Sequence, residues 1–257
     1  MKFETAEISE SGKIYYDLFS LRTVNPQFFK TSHFQIFLIL FTIHYTTFTF
    51  AQTPNQIINT VNQRFSKVND YTADVNVKCE IPSIKIDAIN AKVIYRKPDK
   101  FKIKSTGILI LPKQKVNFLF TTIADTTQYT AVKTGEELIG TVKSQVVNVI
   151  PNKDTSDLIL GKFWIDAVRG LVLKSQLTTK SQGTILIENT YGNMLEYGLP
   201  DKMLFTIETQ KFKLPKALSM DINTSKKDAV ADDGKGRITL VLTRYVVNKG
   251  VSSEELK

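Results

Sequence analysis

The chain has 257 residues, 42% hydrophobic and 23% charged, with 34 lysines and arginines against 25 acids for a net charge of +9. This balance describes a folded chain able to bury a core, and it excludes wholesale disorder or a protein of many membrane spans. The excess of cations suits nucleic acid, an anionic membrane surface or acidic cargo. The aromatic-studded glycine motifs of RNA-binding sheets are missing and the lysines are scattered, so no nucleic-acid partner is expected.

In chain order, a polar extension, residues 1–29, leads to "FQIFLILFTIHYTTFTFAQ", an apolar run preceded by Lys30. Thr49 and Ala51 stand where a signal peptidase wants small residues, so the sequence predicts export with cleavage after Ala51. The strongly apolar part is shorter than the roughly 20 residues of a spanning helix and passes into threonines, which favours a cleaved leader over a retained anchor. The polar extension is unlike an ordinary leader start and leaves the true start within residues 1–30 open. The chain thus divides into a leader, 1–51, and a single domain, 52–257. No cysteine follows the apolar run, so no lipid attachment is expected there and the mature chain is read as soluble. Residues 1–51 hold as many basic as acidic side chains, so the surplus charge belongs to the mature part.

"TPNQIINTVNQRFSKV" opens with Thr53 as N-cap, Pro54 at the first helical position and Gln56 where a capping box wants Glu or Gln. Ile57, Ile58, Val61, Phe65 and Val68 fall on one face of an amphipathic helix. "YTADVNVKCEIP" then alternates: Tyr71, Ala73, Val75, Val77, Cys79 and Ile81 face one way and the polar residues between them the other, the mark of a half-buried antiparallel strand. Further strands are read at "AKVIYRKP", "DKFKIKST", "QKVNFLFT", "SQVVNVIP", "GKFWIDAV", "GLVLKSQLTT", "TILIEN", "DKMLFTIET" and "RITLVLTRYVV". Turn chemistry separates them, as in "AVRG" and "KSQG"; "PNKDTSDL" and "TSKKDAVADDGKG" are read as the longest loops. So many strands in series behind one helix predict a meandering antiparallel sheet, which curls when it is this wide. One helix cannot cover the whole inner face of such a sheet.

Little in the residues supports catalysis. Both histidines, His33 and His44, lie in the leader, which removes Ser-His-Asp and Cys-His machinery and every histidine metal site from the mature chain. The single cysteine, Cys79, is on the apolar side of its strand and reads as a packing residue. Asp232 and Asp233 before Gly234 read as a hairpin turn in preference to a cation loop, since the alternating ligands of an EF-hand are absent. Neither a metal nor a cofactor is expected.

An apolar surplus remains. "DKFKIKS" sets Lys100, Lys102 and Lys104 on one side and Phe101 and Ile103 on the other. "GILILP" has no polar positions, and "VNFLF" continues the run. This stretch is either a strand buried on both sides or the lining of a site for an apolar ligand.

The series "YTADVNVK", "AKVIYRKPDKFKIKSTG", "GKFWIDAVRGLVLKSQ", "TILIENTYGN" and "LPDKMLFTIE" resembles, in that order, the periplasmic lipoprotein carrier family that includes LolA, with its relatives LolB and RseB. The resemblance runs from Gln56 to about Ile222. It implies a mainly β (α+β) fold: an unclosed, strongly curved antiparallel β-barrel of about nine to eleven strands wrapped around an N-terminal amphipathic helix and further short helices. It also implies a non-enzymatic, monomeric periplasmic protein that takes lipoprotein acyl chains or lipids into an apolar cavity and delivers them toward the outer membrane. Its partners would be an inner-membrane release complex and an outer-membrane acceptor, with transient contact to the membrane surface. The family's functional arginine before the proline of the second quoted stretch falls on Lys97, with Arg96 adjacent, and these two are expected to make the lid's polar contacts. Phe101, Ile103, Ile108, Leu109, Leu111, Phe118, Phe120, Trp164 and Phe205 are expected to line the cavity. An RseB-like sensor or adaptor that binds a lipid or protein signal is the second reading, and a hydrolase of envelope polymers a remote third. Physically, exposing a chain of about fifteen methylenes to water costs roughly 12 kcal/mol, so lipid-anchored cargo needs a sheltered route through an aqueous compartment.

Overall fold

The computed structural model describes residues 52–81, 84–85, 87–107, 123–208 and 234–256. The described residues belong to one unit, Gln52–Lys257, and all that follows concerns it. The predicted leader and its cleavage site lie outside the described residues, as do the strand read at "QKVNFLFT" and the run "ILILP".

Helix α1 (Pro54–Phe65) begins as its sequence dictates. The Thr53 hydroxyl accepts from the Gln56 N–H at 3.3 Å and Gln56 Oε1 accepts from the Thr53 N–H at 2.8 Å, so two of the otherwise orphaned N-terminal donors are satisfied. Ile57, Ile58 and Val61 are buried on one face, Phe65 packs beside them, and Val68 is buried just past the helix end.

Eleven strands follow: β1 (Asp70–Ile81), β2 (Ile84–Lys85), β3 (Ile89–Arg96), β4 (Lys100–Ser105), β5 (Tyr129–Ile139), β6 (Val142–Pro151), β7 (Leu158–Asp166), β8 (Leu171–Thr179), β9 (Gly183–Thr190), β10 (Lys202–Glu208) and β11 (Lys235–Val247). They form one sheet in the order β4-β3-β1-β11-β10-β9-β8-β7-β6-β5, with β2 beside β1. Every ladder is antiparallel, and among the described residues the terminal strands β4 and β5 do not pair, so the sheet is not closed. Most connections join neighbours through short turns. The β1–β11 ladder instead joins the first strand to the last, Val75 opposite Leu242 and Val77 opposite Leu240. A bulge lies opposite Ala73, where Arg244 takes a left-handed φ of 49° and its guanidinium pairs with Asp74.

The alternation read in β1 holds without a break: its odd-numbered residues from Tyr71 to Ile81 are buried. They belong to an apolar cluster that continues across the sheet through Val93 and Tyr95, Leu240 and Ile238, Phe205 and Met203, Ile187 and Ile185, Leu177, Phe163, and Val147 and Val149, and that includes Ile57, Ile58 and Val61 of α1. This face of the sheet is called inner below. Helix α1 packs chiefly on β5, β7, β8 and the turn Leu195–Tyr197. At Gly170, in the β7–β8 turn, the contact is close enough that a Cβ would stand 2.5 Å from the Thr60 carbonyl oxygen.

Strand β5 is not announced by its sequence. Its residues are mostly exposed on both faces after Tyr129, and a bulge between Lys133 and Gly135 breaks the period. The loop read at "PNKDTSDL" is short: Lys180 reaches the Asp154 carbonyl, and Asp157 accepts from both the N–H and the hydroxyl of Ser181.

Candidate functional site

Three of the residues singled out in the sequence, Phe101, Ile103 and Phe205, meet on the inner face. Phe101 and Ile103 of β4 stand opposite Tyr95 and Val93 of β3, half-buried against the apolar cluster. Phe205 of β10 lies between Ile187 of β9 and Ile238 of β11, 3% exposed. The side chains beside it in the cluster, Ile185, Met203, Ile207 and Leu240, were not singled out in advance, although the alternation of "TILIEN" and "DKMLFTIET" already sets them on one face. Ile108, Leu109, Leu111, Phe118 and Phe120 lie outside the described residues.

Trp164 is placed differently. Phe163 and Ile165 take the inner face, and Trp164 projects from the other one, where it is 4% exposed. Its indole N–H donates to Glu137 Oε2 at 2.7 Å, and the ammonium groups of Lys162 and Lys174 stand 4.5 and 4.9 Å from its ring centroid. Two cations against the ring, with a carboxylate at its only donor, satisfy the aromatic. The hydrogen bond from Trp164, then that from Lys162, holds the Glu137 carboxyl below the usual glutamate range.

Arg96 and Lys97 tie down neighbouring segments. Arg96 Nη1 donates to the Val251 carbonyl at 3.1 Å and to Ser253 Oγ at 3.3 Å, and the Lys97 ammonium reaches the Ser66 carbonyl at the C-cap of α1. The peptide bond between Lys97 and Pro98 is cis. Asn248 closes the same end of the helix, accepting from the Asn69 N–H at 2.7 Å and donating to the Lys67 carbonyl at 2.8 Å. Below these contacts the rings of Phe65, Tyr71, Tyr95 and Tyr245 form a chain with centroid separations of 5.4 to 5.8 Å. Burial, and then the neighbouring Tyr95, push the Tyr71 phenol far above its ordinary value, so it stays neutral.

Cys79 is 6% exposed, and burial raises its thiol to about 11. Such a thiol carries almost no thiolate at neutral pH and is a poor nucleophile. Among the described residues no three His, Cys, Asp or Glu side chains converge as metal ligands would, and no helix is long and apolar enough to cross a membrane. A hollow of about 270 Å³ between α1 and the β7–β8 turn is lined by Thr60, Gln63, Arg64, Lys67 and Arg169 with Ala167, Val168 and Gly170.

No protein-family model and no curated protein matches the sequence significantly. Solved structures do match in shape. A LolA superfamily protein from Nitrosomonas europaea superposes with a TM-score of 0.53 at 11% identity, over 80% of this chain and 98% of the other. A domain described as a putative outer membrane lipoprotein-sorting protein, from Vibrio parahaemolyticus, gives 0.53 at 9% identity, over 79% of this chain and 96% of its own. The chain therefore has the LolA-like fold.

Proposed function

We propose that this protein binds acyl chains of lipoproteins or lipids against the inner face of its sheet and carries them through the periplasm toward the outer membrane. The observation that carries the reading is a mismatch of coverage. The inner face is apolar from Phe101 and Ile103 at one end to Val147 and Val149 at the other, whereas α1 packs chiefly on β5, β7 and β8. The apolar residues of β9 to β11, β1, β3 and β4 thus extend beyond the main footprint of the described helix, on a fold similar to those of a LolA superfamily protein and of a putative outer membrane lipoprotein-sorting protein domain. In this reading Phe101, Ile103 and Phe205 touch the ligand, joined by Ile108, Leu109, Leu111, Phe118 and Phe120 of the segment after β4. Trp164, turned to the other face, braces β5 against β7. Arg96 and Lys97 act as latches whose release would let the C-terminal segment and the end of α1 move. Export with cleavage after Ala51, a monomeric state, and hand-over between an inner-membrane release complex and an outer-membrane acceptor complete the proposal.

The test is saturable binding of a fluorescent fatty acid by the purified protein, together with mass spectrometry of lipids and lipoproteins that co-purify from the envelope. Phe205→Ala and Phe101→Ala are expected to weaken the probe several-fold, and Trp164→Phe to leave it unchanged. A protein that takes up no probe and brings no acylated molecule with it would overturn the carrier reading, and stable capture of a single regulatory protein would favour a sensor.

A further inference from the structure

The face of β3 and β4 opposite the apolar cluster is cationic. Across their ladder Lys92 stands directly opposite Lys104, and Arg96 opposite Lys100, with Lys102 between them on β4 opposite the buried Ile94. Like charges directly opposed on an antiparallel ladder destabilise it, so folding alone gives no reason to keep them. Edge strands often carry lysine to block pairing with other chains, but Lys92 and Arg96 belong to β3, an interior strand held by β1 and β4, where that reason does not apply. On the β1 side Asp74 faces Lys92 and Asp70 faces Arg96, yet Asp74 is engaged by Arg244 and Asp70 accepts the Gly250 N–H at 3.0 Å. The three lysines of β4 have no acid opposite them and no ion pair among the described residues.

A fixed anion does lie nearby, supplied by the chain itself. Arg96 anchors the segment from Val251 to Ser253, and Glu255 follows it. The Glu255 carboxyl is held below its usual range first by the Ser252 N–H and hydroxyl and further by the fields of Lys92 and Lys104. The patch therefore draws a carboxylate of its own tail.

We propose that the cationic outer face of β3 and β4, formed by Lys92, Arg96, Lys100, Lys102 and Lys104, is a docking surface for an anionic phospholipid membrane. Alternate residues of a strand rise about 6.8 Å apart and neighbouring strands lie about 4.8 Å apart, so the five cations lie close together, Arg96 among them already holding Val251 and Ser253. Juxtamembrane cations are attracted to anionic lipid one by one, without a shaped pocket. Readers of single-stranded nucleic acid intersperse stacking aromatics among their cations, and this face has none, its one large apolar side chain, Ile94, being 1% exposed. The other side of the same strand presents Phe101 and Ile103, so docking would hold the apolar inner face at its membrane-proximal edge. The choice of lipid as the occupant rests on the acyl-binding reading; the charge argument does not.

The experiment is co-sedimentation of the purified protein with vesicles of phosphatidylcholine alone and with about a third phosphatidylglycerol, at low and at roughly 0.5 M salt. Binding is expected only to the anionic vesicles and to disappear at high salt. Lys100→Glu/Lys102→Glu/Lys104→Glu should lower partitioning at least about tenfold, and Glu255→Gln should raise it a few-fold. Because Lys104→Glu places an acid opposite Lys92, the triple variant should unfold at no lower denaturant concentration than the parent, which separates lost docking from lost folding. Equal partitioning of parent and triple variant, or a parent that prefers single-stranded DNA to vesicles of like charge, overturns the proposal. Fatty-acid binding measured on the same samples without vesicles tells the two readings apart: a triple variant that keeps the probe but loses the vesicles fails at docking alone, and a parent that sediments with vesicles yet takes no probe refutes only the carrier.

Discussion

The indole N–H of Trp164 ends on Glu137 Oε2, 2.7 Å away, so a strand exposed along most of its length is fastened to β7 by one aromatic ring. Lys162 also binds Glu137 at 3.2 Å, and with Lys174 it covers the ring. Trp164→Phe should therefore lower stability by about 1 to 2 kcal/mol, through the lost donor and the smaller ring. Urea midpoints of Trp164→Phe, Glu137→Gln and the double variant measure the coupling. Fully additive losses would mean that the bond contributes nothing.

On the inner face of the same hairpin, Lys143 lies 2.5 Å and Lys133 3.6 Å from Glu136, and Gln145 donates to it at 2.9 Å. The hydrogen bonds from Lys143 and Gln145, ahead of the field of Lys133, bring its carboxyl down to about 2 from the ordinary 4.5. A folded-state value below the unfolded one stabilises the fold fully above about pH 4.5, and this contribution is lost as the pH falls toward 2. Thermal midpoints recorded between about pH 5 and pH 2 should fall less steeply for Glu136→Gln than for the parent. Parallel curves would show that the group contributes nothing.

Gly170 has a φ of +62° and no room for a methyl group against the Thr60 carbonyl. Gly170→Ala should cost at least about 1 to 3 kcal/mol from the backbone strain alone, with the clash added. Thr53→Ala, which removes one half of the capping box, should cost about 1 kcal/mol. Guanidinium midpoints compare the two directly, and a Gly170→Ala protein as stable as the parent would contradict the close packing of α1 on this turn.

Cys79 should be silent toward a thiol reagent at pH 8 while the protein is folded and react fully once it is unfolded. Cys79→Ser should lose about 1 to 3 kcal/mol, a hydroxyl being costlier than a thiol to bury among apolar side chains, and should still take up the fatty-acid probe. Loss of the probe at unchanged stability would assign the thiol a role in binding.

What could be read in advance follows from how strongly the period was written. β1 alternates over twelve residues, its neighbours β3 and β11 keep the same two-residue rhythm up to the buried Ile94 and up to the bulge, and β10 keeps it throughout, so their existence and inner faces were legible. The N-terminus of α1 was legible from Thr53, Pro54 and Gln56 because capping is local chemistry. β5 was not, since "VKTGEELI" carries charge on both faces and a bulge shifts the period within it. Trp164 shows the limit at the site: in "KFWID" adjacent aromatics must point opposite ways, and only the packing of Phe163 against the cluster decides which one turns inward. The β4–β3 charges were visible as lysines, but their direct opposition needed the register.

The pairing of β1 with β11 has a consequence for how the molecule comes into being. Without β11 the sheet falls into two meanders, β4-β3-β1 and β5 through β10, with no strand in common. The seam is supplied by residues 235–247, so a growing chain holds both halves, each with a bare inner strand, until this strand has emerged. Contacts between the two ends of a chain are slow to form, because the loop entropy must be lost before any pairing offsets it. During that interval β1 and β10 are open to pairing with other molecules, and a chaperone would find its binding site there.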